Sequence, residues 1–404
     1  MGFFTKYLNK YIEQKFVDCP IELDKERCAS LGQICENICA HNCPNQAIAL
    51  DTKSIDEISC KGCGNCVTSC PNGAFSFTNL KDDTLLRNII HHGKDKTTVR
   101  FCCNSSDIYH QKNKDKQNND IDIEQLTSIT VDCMSRLHPG LLLAPLAVNA
   151  QYVWLDTIGC LHCPKNHNSK VLENIDINFT EAVEWLAQLE VEESRLMLAS
   201  KMPEPVKVVT KKQIVTSSQF NRRAFFVNIG NEVKSNTVGV AGDVADHILS
   251  DEQKKLRMQI APNQRKNGPS AHRHILLQVL KKLKAKRSIE KELYYYQQMK
   301  IDDMCNLCNI CSRLCPTGAI ELEKDGQSQR GTIHYRPGYC INCRKCESVC
   351  PRKLISFIDN VSVQDFVDQT KLLVLERELI KCRKCKDHFP SDLAKNGLCQ
   401  FCYR

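Results

Sequence analysis

The chain has 404 residues, 42% hydrophobic and 25% charged, the proportions of an ordinary soluble protein of two or three domains. No stretch approaches the ~18 uncharged apolar residues of a membrane span, and the start MGFFTKYLNKYIEQKF lacks the apolar core and cleavage site of a secretory signal. Its 26 cysteines are the outlier; in the cytoplasmic, reducing setting expected here, close spacing means metal and not disulfides.

In chain order, residues 1–22 form an N-terminal arm with a helical stripe of Phe3, Phe4, Tyr7, Leu8 and Tyr11. It suits packing on the protein itself or on a subunit. Residues 23–80 then carry two cysteine motifs. The second is Cys60-x2-Cys63-x2-Cys66-x3-Cys70-Pro71, and it recurs as Cys305-x2-Cys308-x2-Cys311-x3-Cys315-Pro316 and Cys340-x2-Cys343-x2-Cys346-x3-Cys350-Pro351. The first is an altered copy, Cys28-x6-Cys35-x3-Cys39-x3-Cys43-Pro44. Thiolates are soft ligands suited to iron in a sulfide cage, and two-residue spacers let one tight loop set three sulfurs around a single cubane. Each Cys-Pro opens a repeated stretch, CPNQAIAL, CPNGAFSF, CPTGAIEL and CPRKLISF, that reads as a turn followed by a short alternating strand.

The two modules, 23–80 and 301–360, resemble the bacterial 2[4Fe–4S] ferredoxin family on these four runs. The resemblance implies four [4Fe–4S] clusters, with the fourth cysteine of each run serving the neighbouring cluster. Carried over, Cys60, Cys63, Cys66 and Cys43 hold one cluster, and Cys28, Cys35, Cys39 and Cys70 a second. Cys305, Cys308, Cys311 and Cys350 hold a third, and Cys340, Cys343, Cys346 and Cys315 a fourth. In the altered copy, Cys19 lies close enough in sequence to substitute. Each oxidised cluster with its thiolates carries about −2, so four offset the formal charge of +8. That removes the charge-based case for nucleic-acid binding.

Residues 97–200 read as a small parallel α/β domain. Thr98–Phe101 is a strand ending in Cys102-Cys103, Ile129–Asp132 one ending in Cys133 before the helix of PGLLLAPLAV, and Tyr152–Leu155 one leading to Cys160-x2-Cys163. Sites in such sheets form beyond the carboxyl ends of the strands, where all five cysteines fall. On FCC, Cys133-x2-Arg136 and GCLHCP, this segment is similar to the iron–sulfur delta subunit of methyl-viologen-reducing hydrogenases. That likeness implies a [2Fe–2S] centre on Cys102 or Cys103, Cys133, Cys160 and Cys163. Buried free thiols, or a redox dithiol at Cys160 and Cys163, are the alternatives.

Residues 201–300 form a basic connector without ligand cysteines. The run HILLQVLKKLKAKRSIEKELYYYQQM has helical spacing, with Ile275, Leu276, Val279, Leu280 and Leu283 on one side. Asn221-Arg222-Arg223-Ala224-Phe225-Phe226 has the form of a twin-arginine signal but lies mid-chain with no apolar stretch after it. The tail, 361–404, carries Cys382-x2-Cys385-x13-Cys399-x2-Cys402, the two-knuckle spacing of a zinc ribbon. A rubredoxin-like iron or a further cluster is the alternative there.

The fold class expected is thus α+β multidomain: two ferredoxin-like modules flanking a parallel α/β domain, with a zinc-ribbon-like tail. The chain has no P-loop, no G-x-G-x-x-G and no G-x-S-x-G. The expected function is a multi-cluster electron-transfer subunit linking a molybdenum, nickel or flavin enzyme to a second carrier, with peripheral contact to a membrane complex possible for its amphipathic segments. A self-contained reductase of a disulfide or sulfur compound at the middle cysteines is the alternative. A redox-sensing regulator lacks any helix-turn-helix or aromatic-interleaved basic patch.

Overall fold

The computed structural model describes residues 19–28, 37–112, 126–163, 165–166, 169–199, 268–284, 292–400 and 402–403. The N-terminal stripe, Cys35 and Arg222-Arg223 lie outside them. The chain forms two compact units, Met1–Val215 with His274–Lys286, and Thr216–Arg273 with Arg287–Arg404.

The first unit opens with β1 (Ile21–Leu23), α1 (Ile38–His41), β2 (Ile48–Ala49), β3 (Ser54–Ile55), α2 (Asn65–Ser69) and β4 (Phe75–Phe77). The chain turns at Cys43-Pro44 into β2 and at Cys70-Pro71 into β4. β1 pairs antiparallel with β4, Ile21 opposite Phe77 and Leu23 opposite Phe75, which closes the segment on itself. Ile21, Val67, Phe75 and Phe77 pack against Cys28, Cys39, Cys66 and Cys70, so the apolar core and the thiols share one interior. Burying each phenylalanine contributes about 2–3 kcal/mol.

An amphipathic helix, α3 (Asp82–Gly93), buries Leu85, Leu86, Ile89 and Ile90 at three- and four-residue spacing and leads into the α/β part. There β5 (Thr98–Cys102), α4 (Asn104–Lys112), β6 (Thr127–Thr130), α5 (Pro139–Ala147), β7 (Tyr152–Asp156), α6 (Lys170–Gln188) and β8 (Leu196–Ala199) follow one another. The sheet order is β6-β5-β7-β8, all parallel. The three expected strands are present within two residues. β8 is a fourth that the sequence reading lacked, because LMLA is too short to show alternation. Every residue of β5 and of α5 is buried, as expected for elements covered on all sides.

His138, just before α5, is buried, with Nε2 3.8 Å from Asp82 Oδ2. Burial, and then the Arg136 charge, push it down to about 3. Unfolded, it titrates near 6.5. Between these values only the unfolded chain takes up the proton. This residue therefore subtracts stability as pH falls from about 6.5 toward 3, by up to about 1.4 kcal/mol per unit, and contributes no such loss above 6.5. His138→Gln is expected to flatten that part of the profile. Both tryptophans, Trp154 and Trp185, lie in the α/β part and report its melting by fluorescence. If parent and variant lose the same melting temperature between pH about 7 and about 5, His138 is not the acid-sensitive group.

Helix α7 (Ala271–Lys284) buries Ile275, Leu276, Val279, Leu280 and Leu283, the side named from their spacing, and its residues from His274 on belong to the first unit. The helical spacing read through Met299 does not hold. The helix ends at Lys284, and β9 (Glu292–Ile301) is a strand of the second unit. Its tyrosine run favours a pleated, half-buried surface, and β12 supplies the ladder that decides it.

The second unit continues with α8 (Ile310–Leu314), β10 (Ile320–Asp325), β11 (Arg330–Tyr335), α9 (Lys345–Ser348), β12 (Ile355–Ser362), α10 (Val363–Val367), β13 (Leu372–Lys381) and β14 (His388–Pro390). β9 pairs antiparallel with β12, and β10-β11-β13-β14 form an antiparallel sheet. Ile320, Ile333, Tyr335, Ile355 and Leu379 form one core with Cys315 and Cys346. Among the described residues, no helix is long and apolar enough to cross a membrane.

Candidate iron–sulfur and metal sites

The cysteine runs share a backbone as well as a spacing. In each complete loop, the residues two and four positions after the first cysteine are left-handed: Gly62 and Gly64, Leu307 and Asn309, Asn342 and Arg344. The third residue after each Cys-Pro cysteine is left-handed too: Gln46, Gly73, Gly318 and Lys353. Such alternation turns successive N–H groups to one side and makes a concavity suited to an anion. For Leu307 and Arg344 the conformation costs roughly 1–2 kcal/mol each. Nothing in their side chains asks for it, so the loop geometry does.

The amides point at sulfur. The N–H of Gly62 donates to Cys60, that of Leu307 to Cys305 and that of Asn342 to Cys340, the last at 3.4 Å. After the Cys-Pro turns, Ala47 N–H donates to Cys43 Sγ at 3.2 Å, Ala74 to Cys70 at 3.3 Å and Leu354 to Cys350 at 3.4 Å. Donors of this kind favour thiolate and set the potential of a bound cluster.

The thiols gather across the runs. Burial pushes Cys311 up to about 12, and the adjacent Cys305, Cys308 and Cys350 thiols add to it. These four line one cavity of about 450 Å³ with Leu307 and Ile333. Burial likewise pushes Cys346 up to about 12, with Cys340, Cys315 and Cys343 beside it. In the first unit, burial holds Cys66 well above its ordinary value, and Cys63, Cys60, Cys43 and Cys39 adjoin it. Cys70 lies beside Cys28. Cys19 faces Cys60, so its neighbourhood is the Cys60 loop. Buried thiols of this kind stay protonated in a metal-free chain, and cationic iron is what would hold them as thiolates. Donor type, crossed grouping and inward amides all fit a four-iron cluster.

In the α/β part, the carboxyl ends of β5, β6 and β7 bring four cysteines together. Burial pushes Cys160 up to about 12, with Cys103 and Cys163 adjoining it, and Cys133 up to about 12, with Cys63 and Cys160 nearby. Cys102 is not among them. As the last residue of β5 it points to the other face, with Sγ 3.8 Å from Asp107, 3.6 Å from Thr130 Oγ1 and 3.9 Å from the Ile129 carbonyl. Asp107 in turn receives the guanidinium of Arg100, which also pairs with buried Asp156 at 2.7 Å. Of the adjacent pair, Cys103 is the thiol on the site side. Gly159 makes this possible. A Cβ there would lie 2.4 Å from Ser106 N, so only glycine lets the Cys160 turn press on the Cys103–Ser106 turn.

Arg136, read from sequence with Cys133, serves the fold instead. Its guanidinium lies 3.8 Å from the Phe77 ring centre and donates to the Leu80 carbonyl at 2.6 Å. Beside it, Asn65, Ser135 and Asn174 form a buried polar network. Ser135 O–H donates to Asn65 Oδ1 at 2.5 Å, and Asn174 Nδ2 donates to Ser135 Oγ at 2.7 Å. Sequence reasoning missed these three. For Asn65 and Ser135 the only signal was a small polar residue two positions after a motif cysteine, and Asn174 carried none.

In the tail, Cys382, Cys385, Cys399 and Cys402 place their sulfurs within 4.8 Å of one another. The N–H of Cys399 donates to Cys382 Sγ at 3.4 Å, and this donor, joined by those of Cys385 and Lys384, draws Cys382 down to about 6 against its burial. Cys385 and Cys399 sulfurs are 3.8 Å apart. A tetrahedral ion with Zn–S of about 2.3 Å sets sulfurs about 3.8 Å apart, whereas a cubane needs them farther out. The geometry fits a single metal ion.

Comparison with known proteins agrees with the cysteine pattern in both modules. Residues 32–79 match the LdpA Fe-S cluster-binding domain family, and residues 304–354 the 4Fe-4S dicluster domain family. Over 59 residues the chain is 39% identical to the arsenate respiratory reductase iron-sulfur subunit ArrB of Shewanella sp. (strain ANA-3), a stretch amounting to 14% of this chain and 23% of that protein. The chain thus spans about a quarter of the relative it matches. The two cysteine-rich segments are iron–sulfur cluster-binding domains, and neither family match extends over residues 97–170.

Proposed function

We propose that this protein is an electron-transfer subunit that carries four [4Fe–4S] clusters, a middle iron–sulfur centre and a structural metal in its tail. The crossed grouping of thiols, under loops whose amides donate to Cys60, Cys305 and Cys340, is the observation that carries this reading. The ligand sets are Cys60, Cys63, Cys66 and Cys43, then Cys28, Cys35, Cys39 and Cys70. In the second unit they are Cys305, Cys308, Cys311 and Cys350, then Cys340, Cys343, Cys346 and Cys315. Cys103, Cys133, Cys160 and Cys163 would hold the middle centre, and Cys382, Cys385, Cys399 and Cys402 zinc. The bound clusters supply one-electron storage. The chain excludes water around them, donates hydrogen bonds to their sulfurs and fixes their spacing.

The similarity to an iron–sulfur subunit of a respiratory reductase supports a role beside a catalytic partner, of the molybdenum, nickel or flavin kind, and a second carrier. A self-contained reductase at the middle cysteines would need an open thiol. Cys102, the candidate left over, is fully buried and engaged on the far face of β5, which weighs against that alternative.

Anaerobic affinity capture from the native cells tests the subunit reading. A stoichiometric catalytic partner is the expected result, and that partner's cofactor would name the reaction. Recovery of the chain alone at high yield, from soluble and membrane fractions alike, would overturn it.

A further inference from the structure

We infer that the middle centre exchanges electrons directly with the cluster of Cys60, Cys63, Cys66 and Cys43, across a rigid junction between Gly64–Asn65 and Cys133–Arg136, with Lys165 as the charge common to both. The inference rests on the reading of both sites as redox centres and adds the order of the relay within the first unit. One centre loses an electron, the other gains it, and no bond is made or broken.

Three observations converge on this contact. The first is a pair of bracketing residues. Asn65 stands two positions after Cys63 and Ser135 two positions after Cys133, and their side chains meet at 2.5 Å inside the protein. Asn174 ties the pair down from α6, donating to Ser135 Oγ at 2.7 Å and to Thr68 Oγ1 at 2.9 Å. Asn65 also donates to the Lys170 carbonyl at 3.0 Å. A buried network with these donors and acceptors satisfied holds one arrangement, since breaking it leaves polar groups dry.

The second observation is steric. Gly64, between Cys63 and Asn65, has φ +89°, and a Cβ on it would lie 3.0 Å from Arg136 Cβ and 3.1 Å from Arg136 Cα. The Cys63 loop therefore approaches the Cys133–Arg136 turn as nearly as backbone allows. Third, Lys165 donates to the Asp132 carbonyl at 3.3 Å, and its charge acts on both the Cys63 and the Cys133 thiols. A cation shared by two anionic centres raises the potential of each.

The test uses the full-length protein, reduced anaerobically and observed by electron paramagnetic resonance. Cys160→Ser first identifies the middle-centre signal by its loss. If no signal is lost, the redox reading of the middle site fails. With that signal in hand, Cys63→Ser is expected to remove its magnetic coupling to a second spin, whereas Cys346→Ser, in the other unit, leaves the coupling unchanged. A middle-centre signal indifferent to Cys63→Ser would overturn the inference while leaving both sites intact. Because Cys63→Ser could disturb the fold, Lys165→Gln provides a second arm. It is expected to lower the reduced-to-oxidised ratio of the middle centre and of the Cys60–Cys63–Cys66–Cys43 cluster at fixed poise, on the order of tenfold, the effect of a unit charge over about 10 Å at an effective dielectric near 20. A shift in only one of them, or in neither, also overturns the junction.

Discussion

Cys350→Ser is expected to strip about four iron and four sulfide from the chain, and adding Cys311→Ser is expected to remove no more. The two cysteines belong to different runs, yet their thiols line one cavity with Cys305 and Cys308. Combining Cys350→Ser with Cys346→Ser, its neighbour within the run, should remove about eight iron, because Cys346 adjoins Cys340, Cys343 and Cys315 instead. Ligation confined to single runs predicts the reverse pair of results. Iron and acid-labile sulfide per chain read the outcome directly. Stability should fall with each lost cluster, since metal binding is folding free energy where the site does not survive unfolding. The thiols that pack with Ile320, Ile333 and Ile355 would then line a void instead of a filled core.

The tail carries the second large effect. Cys399→Ser removes a sulfur of the four-cysteine group and leaves in place the backbone N–H that donates to Cys382. One zinc per chain is expected to be lost, with the iron count and visible absorption unchanged. Structural zinc contributes about 10–16 kcal/mol in small domains, so the segment around β14 should unravel and become the first site of limited proteolysis. Loss of a single iron instead would identify a rubredoxin-like centre. Loss of about four iron would mean a cluster and would sink the zinc assignment.

Much of this was legible in the residues, and the reason differs from part to part. Spacing in Cys-x2-Cys-x2-Cys-x3-Cys-Pro is a local property, because ligands on one loop are positioned by that loop's own turns. The strands opening at Phe75, Ile320 and Ile355 follow from the same local logic, a proline turn and then alternation. Helical spacing named the buried side of α7 correctly, yet ran past its end. At Gln297–Ile301, pairing with Ile355–Asp359 of β12 outweighed the weak helical preference of a short stretch, and only the ladder could say so.

What the sequence by itself determined, then, is the chemical pattern: the soft cysteine thiols, their grouping into runs, and the parallel α/β segment whose cysteines fall at strand ends. The tertiary structure alone decided which of two adjacent cysteines meets Cys133 and Cys160. Successive residues at the end of a strand point to opposite faces, so the choice between Cys102 and Cys103 depends on which face Gly159 lets the next turn approach. It also decided that Arg136 braces Phe77 and that Asn65, Ser135 and Asn174 fasten the Cys63 loop to the α/β part. Those contacts join residues far apart in the chain: 39 positions separate Asn174 from Ser135, and 70 separate Ser135 from Asn65. No local pattern encodes such a pairing, because its stability comes from excluding water around groups that meet only once the chain has folded.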